Sequence, residues 1–434
     1  MDALTLSRMQ FALNISFHIL FPVITIALAW ILLFFRLRFT QTKEIAWAKA
    51  YDRAVKWFAL TFALGVVSGV TMSFQFGTNW PGFMEKAGDI AGPLLGFEVM
   101  TAFFLEASFL GVMLYGKEHV SNKVHMFASC MVAIGTSMSA FWILALNSWM
   151  QTPAGFELLP SGQIIATDWW AIVFNPSFPY RFSHKMLASF VTAGFLITGL
   201  SAWRILAGRG DGASTKMIRT GVVLLAITVP LQIFMGDLHG LNTLKHQPAK
   251  VAAMEGLWHT QKSVPLVLFG LPNSETQRND YALEIPNVSS LILTHKWDGE
   301  VQGLSSFEDK PNVSMVFWSF RVMVGTGVLM LLVAWAAAFL LRRQPDVQTW
   351  PRWRLRVLQA MTFSGWLATL AGWYVTETGR QPWLVYGVLR TADLVAQHPA
   401  SKVAGSLTLY VLLYIALIFA YISVMRYLAL KREH

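Results

Sequence analysis

Residues 371–383 read AGWYVTETGRQPW, and the way this apolar helix ends on charged residues guides the interpretation of the whole chain. Glu377 lies in the last turn of the helix, and Arg380 and Arg390 follow it in the next connection. Such charges are costly in lipid, but they suit an iron porphyrin, which has a positive metal and negative propionates. Trp373, in the same run, is a further candidate for cofactor binding. The pattern therefore favours a cofactor site at the end of a membrane helix.

The composition identifies an integral membrane protein. The 434 residues are 55% apolar and 13% charged, whereas a soluble chain carries about 25% charged residues. Apolar runs of roughly 20 residues, long enough to cross a hydrocarbon core of about 30 Å, recur along the sequence. We therefore predict an all-α fold with nine transmembrane helices. They are placed at 10–35, 55–76, 94–116, 125–147, 185–207, 217–236, 314–341, 357–377 and 404–427.

The charges of the connections predict the orientation of these helices. Basic residues crowd the connections after the first, fifth and seventh helices, whereas 237–312 holds nine acidic and six basic residues. By the positive-inside rule, the N-terminus is expected outside and the C-terminus in the cytoplasm. The net charge of +10 then reflects topology and gives no support to nucleic-acid binding. The predicted organisation is helices 1–6 over 1–236, an external loop over 237–313, and helices 7–9 with a cytoplasmic tail over 314–434.

The numbers and positions of cysteine and histidine exclude some classes of metal site and disfavour others. The single cysteine, Cys130, lies inside the fourth predicted helix, so the sequence offers no disulfide, no CxxCH haem attachment and no cysteine metal cluster. Of the ten histidines, too few lie in the predicted helices to ligate copper and two haems. A haem-copper oxidase is therefore disfavoured, and no copper is expected.

Three ionisable residues stand inside the first and third predicted helices, where each is a functional candidate. His18 precedes Pro22 by four residues, and proline cannot donate to the His18 carbonyl, so the helix is expected to kink there. His18 either bonds to a neighbouring helix or binds a metal. Glu98 and Glu106 are separated by about 12 Å along a helix and share roughly one stripe. Three interpretations of this pair stay open. The two carboxyl groups relay protons, they contact a cofactor, or they are buried acids held neutral by desolvation.

The fifth and seventh predicted helices carry a further pair. His184 opens the fifth helix on the outer side, where a histidine contacts lipid headgroups or binds a metal. Met323 lies in FWSFRVMVG, two residues after Arg321, and an arginine within an apolar run needs a counter-charge such as a haem propionate. If His184 and Met323 face each other, they form a six-coordinate, low-spin haem of raised potential. The alternative for Met323 is ordinary packing.

Six segments in matching order resemble subunit I of the cytochrome bd-type quinol oxidases along almost the whole chain. A lone GRQPW would be a weak signal, but the ordered set is specific. The segments are SRMQFALNISFH, GFEVMTAFFLE, SAFWILALNSWMQTPAG, the helix that begins at His184, FWSFRVMVG and GWYVTETGRQPW.

This resemblance implies the cofactors and their ligands. It places His18 and Glu377 as axial ligands of two high-spin haems, one b-type and one d-type, and leaves open which residue serves which haem. It places His184 and Met323 on a low-spin b haem. Three haems are therefore expected.

The resemblance also implies a proton route and a quinol site. Glu98 and Glu106 correspond to the family's intramembrane acids, which are tied to ligation of haem d and to proton delivery. In GDLHGLNTLKHQPAKVAAMEGLWHT, Lys250 and Glu255 correspond to the quinol-site lysine and glutamate. A glutamate can accept a quinol proton and a lysine can favour an ionised ring oxygen. Without the resemblance, both would be ordinary charges of an exposed loop.

Two departures from the family pattern affect these expectations. The external loop lacks the insertion of some members and looks like the subgroup described as cyanide-insensitive, in which a b-type haem can replace haem d. Ala107 follows Glu106 where some relatives have a hydroxyl residue, and Ser108 comes next.

The sequence thus predicts the catalytic subunit of a terminal quinol oxidase in the bacterial cytoplasmic (inner) membrane. It would oxidise ubiquinol or menaquinol at the outer face and reduce O2 to water with cytoplasmic protons, without pumping. The expected partners are a second membrane subunit (subunit II) and small single-span subunits. Two alternatives stay open: a haem-bearing quinol dehydrogenase subunit that never meets oxygen, and a cofactor-free ion transporter with Glu98 and Glu106 as carriers.

Overall fold

The computed structural model describes residues 2–431; Met1 and residues 432–434, which end the predicted cytoplasmic tail, lie outside it. Long helices dominate the described range, as predicted. They are α1 (Ala3–Ile19), α2 (Pro22–Thr42), α3 (Ile45–Thr78), α4 (Pro81–Thr101), α5 (Ser108–Tyr115), α6 (Asn122–Gln151), α7 (Trp169–Val173), α8 (Phe178–Leu206), α9 (Gly212–His246), α10 (Pro248–Glu255), α11 (Val288–Thr294), α12 (Val313–Arg343), α13 (Arg352–Ala360), α14 (Ser364–Thr378) and α15 (Ala400–Leu430).

Short antiparallel strand pairs lie in the connections between these helices. The pairs are β1 (Phe156–Leu158) with β2 (Ile164–Ala166), β3 (Gln261–Lys262) with β6 (Glu300–Val301), β4 (Leu266–Asn273) with β5 (Arg278–Ile285), and β7 (Trp383–Val385) with β8 (Leu389–Arg390).

The helix starts follow from capping and proline chemistry. Asp2 accepts from the Thr5 amide at 2.8 Å at the start of α1, and such a cap satisfies one of the free donors of a first turn. Pro22 is the first residue of α2, where its missing N–H costs nothing. Since α1 ends at Ile19 and α2 begins at Pro22, the predicted kink next to His18 is confirmed.

Eight helical segments in the described range are long and apolar enough to cross a membrane. The predicted span at 357–377 is not among them, and a 3-10 turn at Met361–Phe363 separates α13 from α14 there. The Thr362 and Ser364 hydroxyls donate to carbonyls three residues earlier, at 2.5 and 2.7 Å. Such bonds compete with the α-helical pattern and favour the tighter turn. The sequence predicts one continuous helix here, and the structure has two short ones.

Four helices, three of which carry predicted ligands, contact one another in a closed ring. α8 packs against α9, α9 against α12, α12 against α14, and α14 against α8. His184 on α8 and Met323 on α12 therefore belong to one bundle. The largest apolar cluster lies beside it, around the fully buried Phe21, Trp57 and Phe58.

Polar contacts tie the helix ends together in two groups. One group lies where the basic connections meet, and its ion pairs are Lys117–Asp52 (2.5 Å), Lys216–Glu44 (2.7 Å) and Arg53–Asp211 (2.7 Å). The other group joins the segment between α9 and α12, which is the predicted external segment, to the ends of α6 and α14. Its contacts are Gln247 Nε2 to the Gln151 carbonyl (2.9 Å) and Arg390 Nη2 to Asp309 Oδ2 (2.9 Å).

The external segment is smaller and better packed than predicted. α9 continues to His246, ten residues into the predicted loop. α10 then packs against α9 and α12, and seven of its eight residues, from Ala249 to Glu255, are buried. The apolar residues of AKVAAME drive this burial, and the two charged side chains of the helix, Lys250 and Glu255, are buried as a consequence.

Candidate functional site

Glu377 is held by donors from two elements. Asn147 Nδ2 and Gln151 Nε2, one turn apart on α6, donate to Glu377 Oε1 at 3.0 and 3.2 Å. Arg380 forms an ion pair with Glu377 Oε2. The carboxylate is 15% exposed and the guanidinium side chain 3%, so the structure buries the acid–arginine pair that the sequence singles out.

The surroundings of Glu377 contain more positive than negative charge. Lys250 and Arg181, like Arg380, interact electrostatically with this carboxylate, so three cations face one acid. The Arg380 Nε and Nη1 atoms are buried and have no hydrogen-bond partner among the described residues. Buried cations need counter-charges, and the two propionates of a haem would supply them. The donor set therefore fits an iron porphyrin.

The His18 tautomer is set by Ser68 on α3. The Ser68 hydroxyl donates to the Leu64 carbonyl at 2.7 Å and lies 3.0 Å from the Gly65 carbonyl. Its single proton is therefore used, and it must accept from His18 Nδ1–H at 2.9 Å. The Nε2 atom of His18 then carries a lone pair, which is the state that a metal ligand requires.

His184 lies among unpaired polar atoms. Its Nε2 atom is 3.0 Å from Gln232 Nε2 on α9, and its ring packs edge-to-face on His239 at 5.6 Å. His184 Nδ1, Gln232 Oε1, His239 Nε2 and the adjacent Lys185 Nζ are buried without partners in the described range. Unpaired polar atoms in such number need an explanation, and a bound polar group would satisfy them. Iron ligation through Nε2 requires the Gln232 amide to move aside.

Met323 faces α14. A side chain at Gly372 would place its Cβ atom 2.8 Å from the Met323 sulfur, so α14 needs a glycine at this level. Trp373 follows and packs edge-to-face on Tyr374 at 5.1 Å. The four-helix ring holds both Met323 and His184, but the structure records no direct contact between them.

Glu98 and Glu106 both lie beside Ser139 of α6. The Ser139 hydroxyl donates to Glu98 Oε1 at 3.0 Å, and Glu106 interacts with both Ser139 and Glu98. Eight α-helical residues would rotate by about 80° beyond two turns. The π-helical stretch Ala102–Ala107 turns less per residue and brings the two acids onto one face. Ser108 is exposed and bonds to the Phe103 carbonyl, so Ser139 supplies the hydroxyl instead.

The structure corrects the expectation that Lys250 and Glu255 are exposed loop charges. They are 2% and 6% exposed and lie on α10. Lys250 Nζ donates to Gln151 Oε1 at 2.8 Å, whereas Glu255 Oε2 accepts from Ser289 Oγ at 2.6 Å. Burial lowers the pKa of Lys250 well below its usual value and raises the pKa of Glu255. Lys250 and Glu255 are five positions apart on a helix, so their side chains project from different sides of α10 and meet different partners.

Arg321 and Arg390 both have protein partners, and their contact with haem propionates stays a prediction. Arg321 donates to the Val267 carbonyl at 2.7 Å and to the Met254 carbonyl, and its guanidinium lies 3.5 Å from the Phe317 ring centroid. Arg390 forms an ion pair with Asp309 at 2.9 Å. Both arginines fasten the external segment to the helices.

Several residues around the predicted ligands escaped the sequence analysis. Lys185 interacts electrostatically with both His18 and His184. A lysine in an apolar helix needs a counter-charge as Arg321 does, so the sequence could have identified Lys185 in the same way. Asn147 and Gln151 lie four apart at the end of an apolar helix, a spacing that puts both on one face. The residues missed are Ser68, Ser139, Asn147, Gln151, Arg181, Lys185, Gln232 and His239.

The fold and the buried charges define a multi-pass membrane protein with sites suited to haem. Comparison with known proteins gives the family. The family model for cytochrome bd terminal oxidase subunit I matches residues 6–433. The chain therefore belongs to the cytochrome bd terminal oxidase subunit I family, whose reaction is that of a quinol:oxygen oxidoreductase, and the resemblance seen in the motifs is confirmed.

Relatives match along nearly their full length. The cytochrome bd-II ubiquinol oxidase subunit 1 of Escherichia coli (strain K12) is 30% identical, with 98% of this chain and 96% of that protein covered. The cytochrome bd ubiquinol oxidase subunit 1 of Bacillus subtilis (strain 168) is 31% identical, with 97% and 93% covered. In the structure of bd oxidase from Geobacillus thermodenitrificans, a chain 30% identical superposes with a TM-score of 0.89 over 98% of both chains.

Proposed function

We propose that this subunit binds three haems, oxidises quinol at the outer face of the bacterial cytoplasmic membrane and delivers cytoplasmic protons for the reduction of oxygen to water. The observation that carries the proposal is the buried Glu377, faced by three cations of which Arg380 keeps two unpaired nitrogen atoms. Bound haem supplies electron transfer and the iron at which oxygen is reduced.

The residues that would hold haem fall into two groups. His184 and Met323 would hold the low-spin haem; they lie on α8 and α12, two helices of the ring of α8, α9, α12 and α14. His18, through Nε2, and Glu377 would each serve one high-spin haem, one of them of d type or a b-type substitute. Arg181 and Arg380 would bind propionates, and Glu98 is placed to contact an iron or to pass it protons.

Quinol oxidation is assigned to α10. The buried Glu255 carboxyl has a raised pKa, so it can take up a proton from a quinol hydroxyl nearer to neutral pH than an ordinary glutamate. Lys250, on another side of the helix, would favour the ionised ring oxygen and faces the Glu377 cluster through Gln151. Arg321 holds the external segment over α12 and so positions α10.

Protons for oxygen reduction would pass along α4, the π-helical stretch and α6. Glu106 is the station on the cytoplasmic side and Glu98 the station next to the cofactor, with the Ser139 hydroxyl between them. Water cannot sit unassisted in hydrocarbon, so the buried acids are needed. Protons taken from the cytoplasm and released outside by quinol make the reaction electrogenic without pumping.

The topology supports this direction. Counting α13 and α14 as one interrupted span gives nine crossings, with the N-terminus outside and the C-terminus cytoplasmic. The basic connections gather at one group of helix ends and α10 at the other. As a subunit I, the chain functions with a subunit II, and small single-span subunits are proposed in addition. No copper takes part in the proposed chemistry.

The proposal is tested on the complex purified with its subunit II. We expect quinol-driven oxygen uptake that is lost in Glu377→Gln together with one high-spin haem signal, because the amide is a poor iron ligand. Glu85→Gln, an exposed acid of α4, is the matched control and keeps both. Normal haem content in Glu377→Gln would contradict the assignment.

A further inference from the structure

The side chain of Gln151 bridges two residues that the proposed function assigns to different sites. Gln151 ends α6 and is fully buried. Its Oε1 atom accepts from Lys250 Nζ at 2.8 Å, and its Nε2 atom donates to Glu377 Oε1 at 3.2 Å. A carboxylate only accepts, so the bond to Glu377 requires the Nε2 atom on that side and fixes the orientation of the amide, with Oε1 towards Lys250.

Two further contacts lie next to this bridge, one on the Gln151 main chain and one on the Lys250 stem. Gln247 Nε2 donates to the Gln151 carbonyl oxygen at 2.9 Å, which joins the end of α9 to the end of α6. The Lys250 stem reaches Gln151 by crossing Gly379, where any side chain would put its Cβ atom 2.6 Å from Lys250 Cγ. The glycine of GRQPW therefore makes room for the lysine of α10.

We propose that Gln151 is a positioning residue that couples the quinol site to the Glu377 haem site. The inference rests on the proposed function. Both bonds involve charged groups and are aligned through one amide, so each polarises the other. A change of charge beside Lys250 when quinol binds alters the hydrogen bond on Glu377, and iron ligation by Glu377 alters the bond to Lys250. The amide has no titratable proton, so it transmits this effect without opening a proton path between the sites.

The test replaces Gln151 in the purified complex and reads both sites separately. Gln151→Leu removes both bonds at similar volume. We expect a shifted absorption band and midpoint potential of the Glu377-side haem without quinol, and a rise in KM for short-chain quinol analogues of roughly tenfold, as the loss of a charge-assisted bond implies. Gln151→Asn, one methylene shorter, keeps an amide but cannot reach both partners. It should act in the same direction and carries the test if the leucine variant does not assemble.

Gln247→Leu is the matched control, because it removes a neighbouring amide that bonds only to the Gln151 main chain. It should leave the haem band and KM at wild-type values. Wild-type behaviour at both sites in the Gln151 variants, or a change confined to one site, would overturn the coupling. A wild-type complex without haem or quinol turnover would instead refute the proposed function, so the two failures are distinguishable.

Discussion

At the scale of the residue, one hydroxyl decides whether His18 can bind a metal. Ser68 uses its proton on the α3 backbone and accepts from His18 Nδ1, which leaves Nε2 unprotonated. Partners of this kind orient ligating histidines and raise their basicity. Ser68 thus holds His18 in the tautomer that the proposed iron ligation requires.

Removing this hydroxyl should therefore disturb one haem. In Ser68→Ala, the His18 ring loses its orienting partner, and we expect a shifted high-spin haem spectrum and up to about 10–100-fold weaker haem retention. Ser73→Ala is the control, because this exposed serine of α3 bonds only to the Gly69 carbonyl. Equal spectra in the two variants would show that Ser68 does not orient the ligand.

If Glu255 is the base of quinol oxidation, as proposed, the rate of this reaction has a defined pH dependence. Burial raises its pKa, and only the ionised form accepts a proton, so the rate should rise as pH increases through this raised pKa. Glu255→Gln keeps the size and a polar contact for Ser289 but removes the base, so this rising limb should vanish and turnover fall about 100-fold. The pH profile of quinol oxidation is the measurement.

The control for Glu255 is Glu284→Gln in the same external segment, on the exposed side of β5. It should keep the wild-type profile. A rising limb that persists in Glu255→Gln would place the base elsewhere.

At the scale of the element, the π-helical stretch Ala102–Ala107 matters most, because it brings Glu106 to Ser139 and Glu98. Glu106→Gln keeps the volume and removes the exchangeable proton. We expect oxygen uptake to fall about 100-fold with haem content unchanged and haem reduced at steady state. Oxygen electrode traces and absorption spectra under turnover measure both.

Ser108→Ala is the control for this route, since Ser108 is exposed and bonds to the Phe103 carbonyl. It should keep wild-type oxygen uptake. Full uptake and a normal membrane potential in Glu106→Gln would show that protons reach the site along another path.

α10 shows why the sequence analysis expected Lys250 and Glu255 to be exposed, whereas the structure buries them. Lys250 and Glu255 stand in a polar stretch between two spans, so their charges suggested exposure. The apolar residues between them, VAAM, are what α9 and α12 bury. Burial of a charge depends on partners such as Gln151 and Ser289 that lie about 100 and 34 positions away, and no local pattern contains that information.

At the scale of the whole molecule, hydropathy predicts most of the long helices, because each membrane helix must satisfy its own backbone within one continuous apolar run. The kink before Pro22 follows from proline chemistry in the same way. The π-helical stretch and the 3-10 turn at Met361–Phe363 are local departures from the α-helical pattern inside apolar runs, where hydropathy does not reveal them, and they were not predicted. The sequence reveals candidates such as His18, Glu98 and Glu377 because an ionisable residue is unusual in an apolar helix. Their hydrogen-bond partners, such as Ser68 and Ser139, look like ordinary helix residues.

The central claim is that the assembled molecule carries a quinol-reducible haem that oxygen can reach. The carbon monoxide difference spectrum of the purified complex, reduced with quinol alone, tests it most directly. We expect a shift of a high-spin haem band on addition of carbon monoxide, since an oxidase needs an open position on its iron. Haem bands that quinol reduces but carbon monoxide leaves unchanged would indicate a quinol dehydrogenase subunit, and a colourless complex would indicate a transporter; either result would contradict the account.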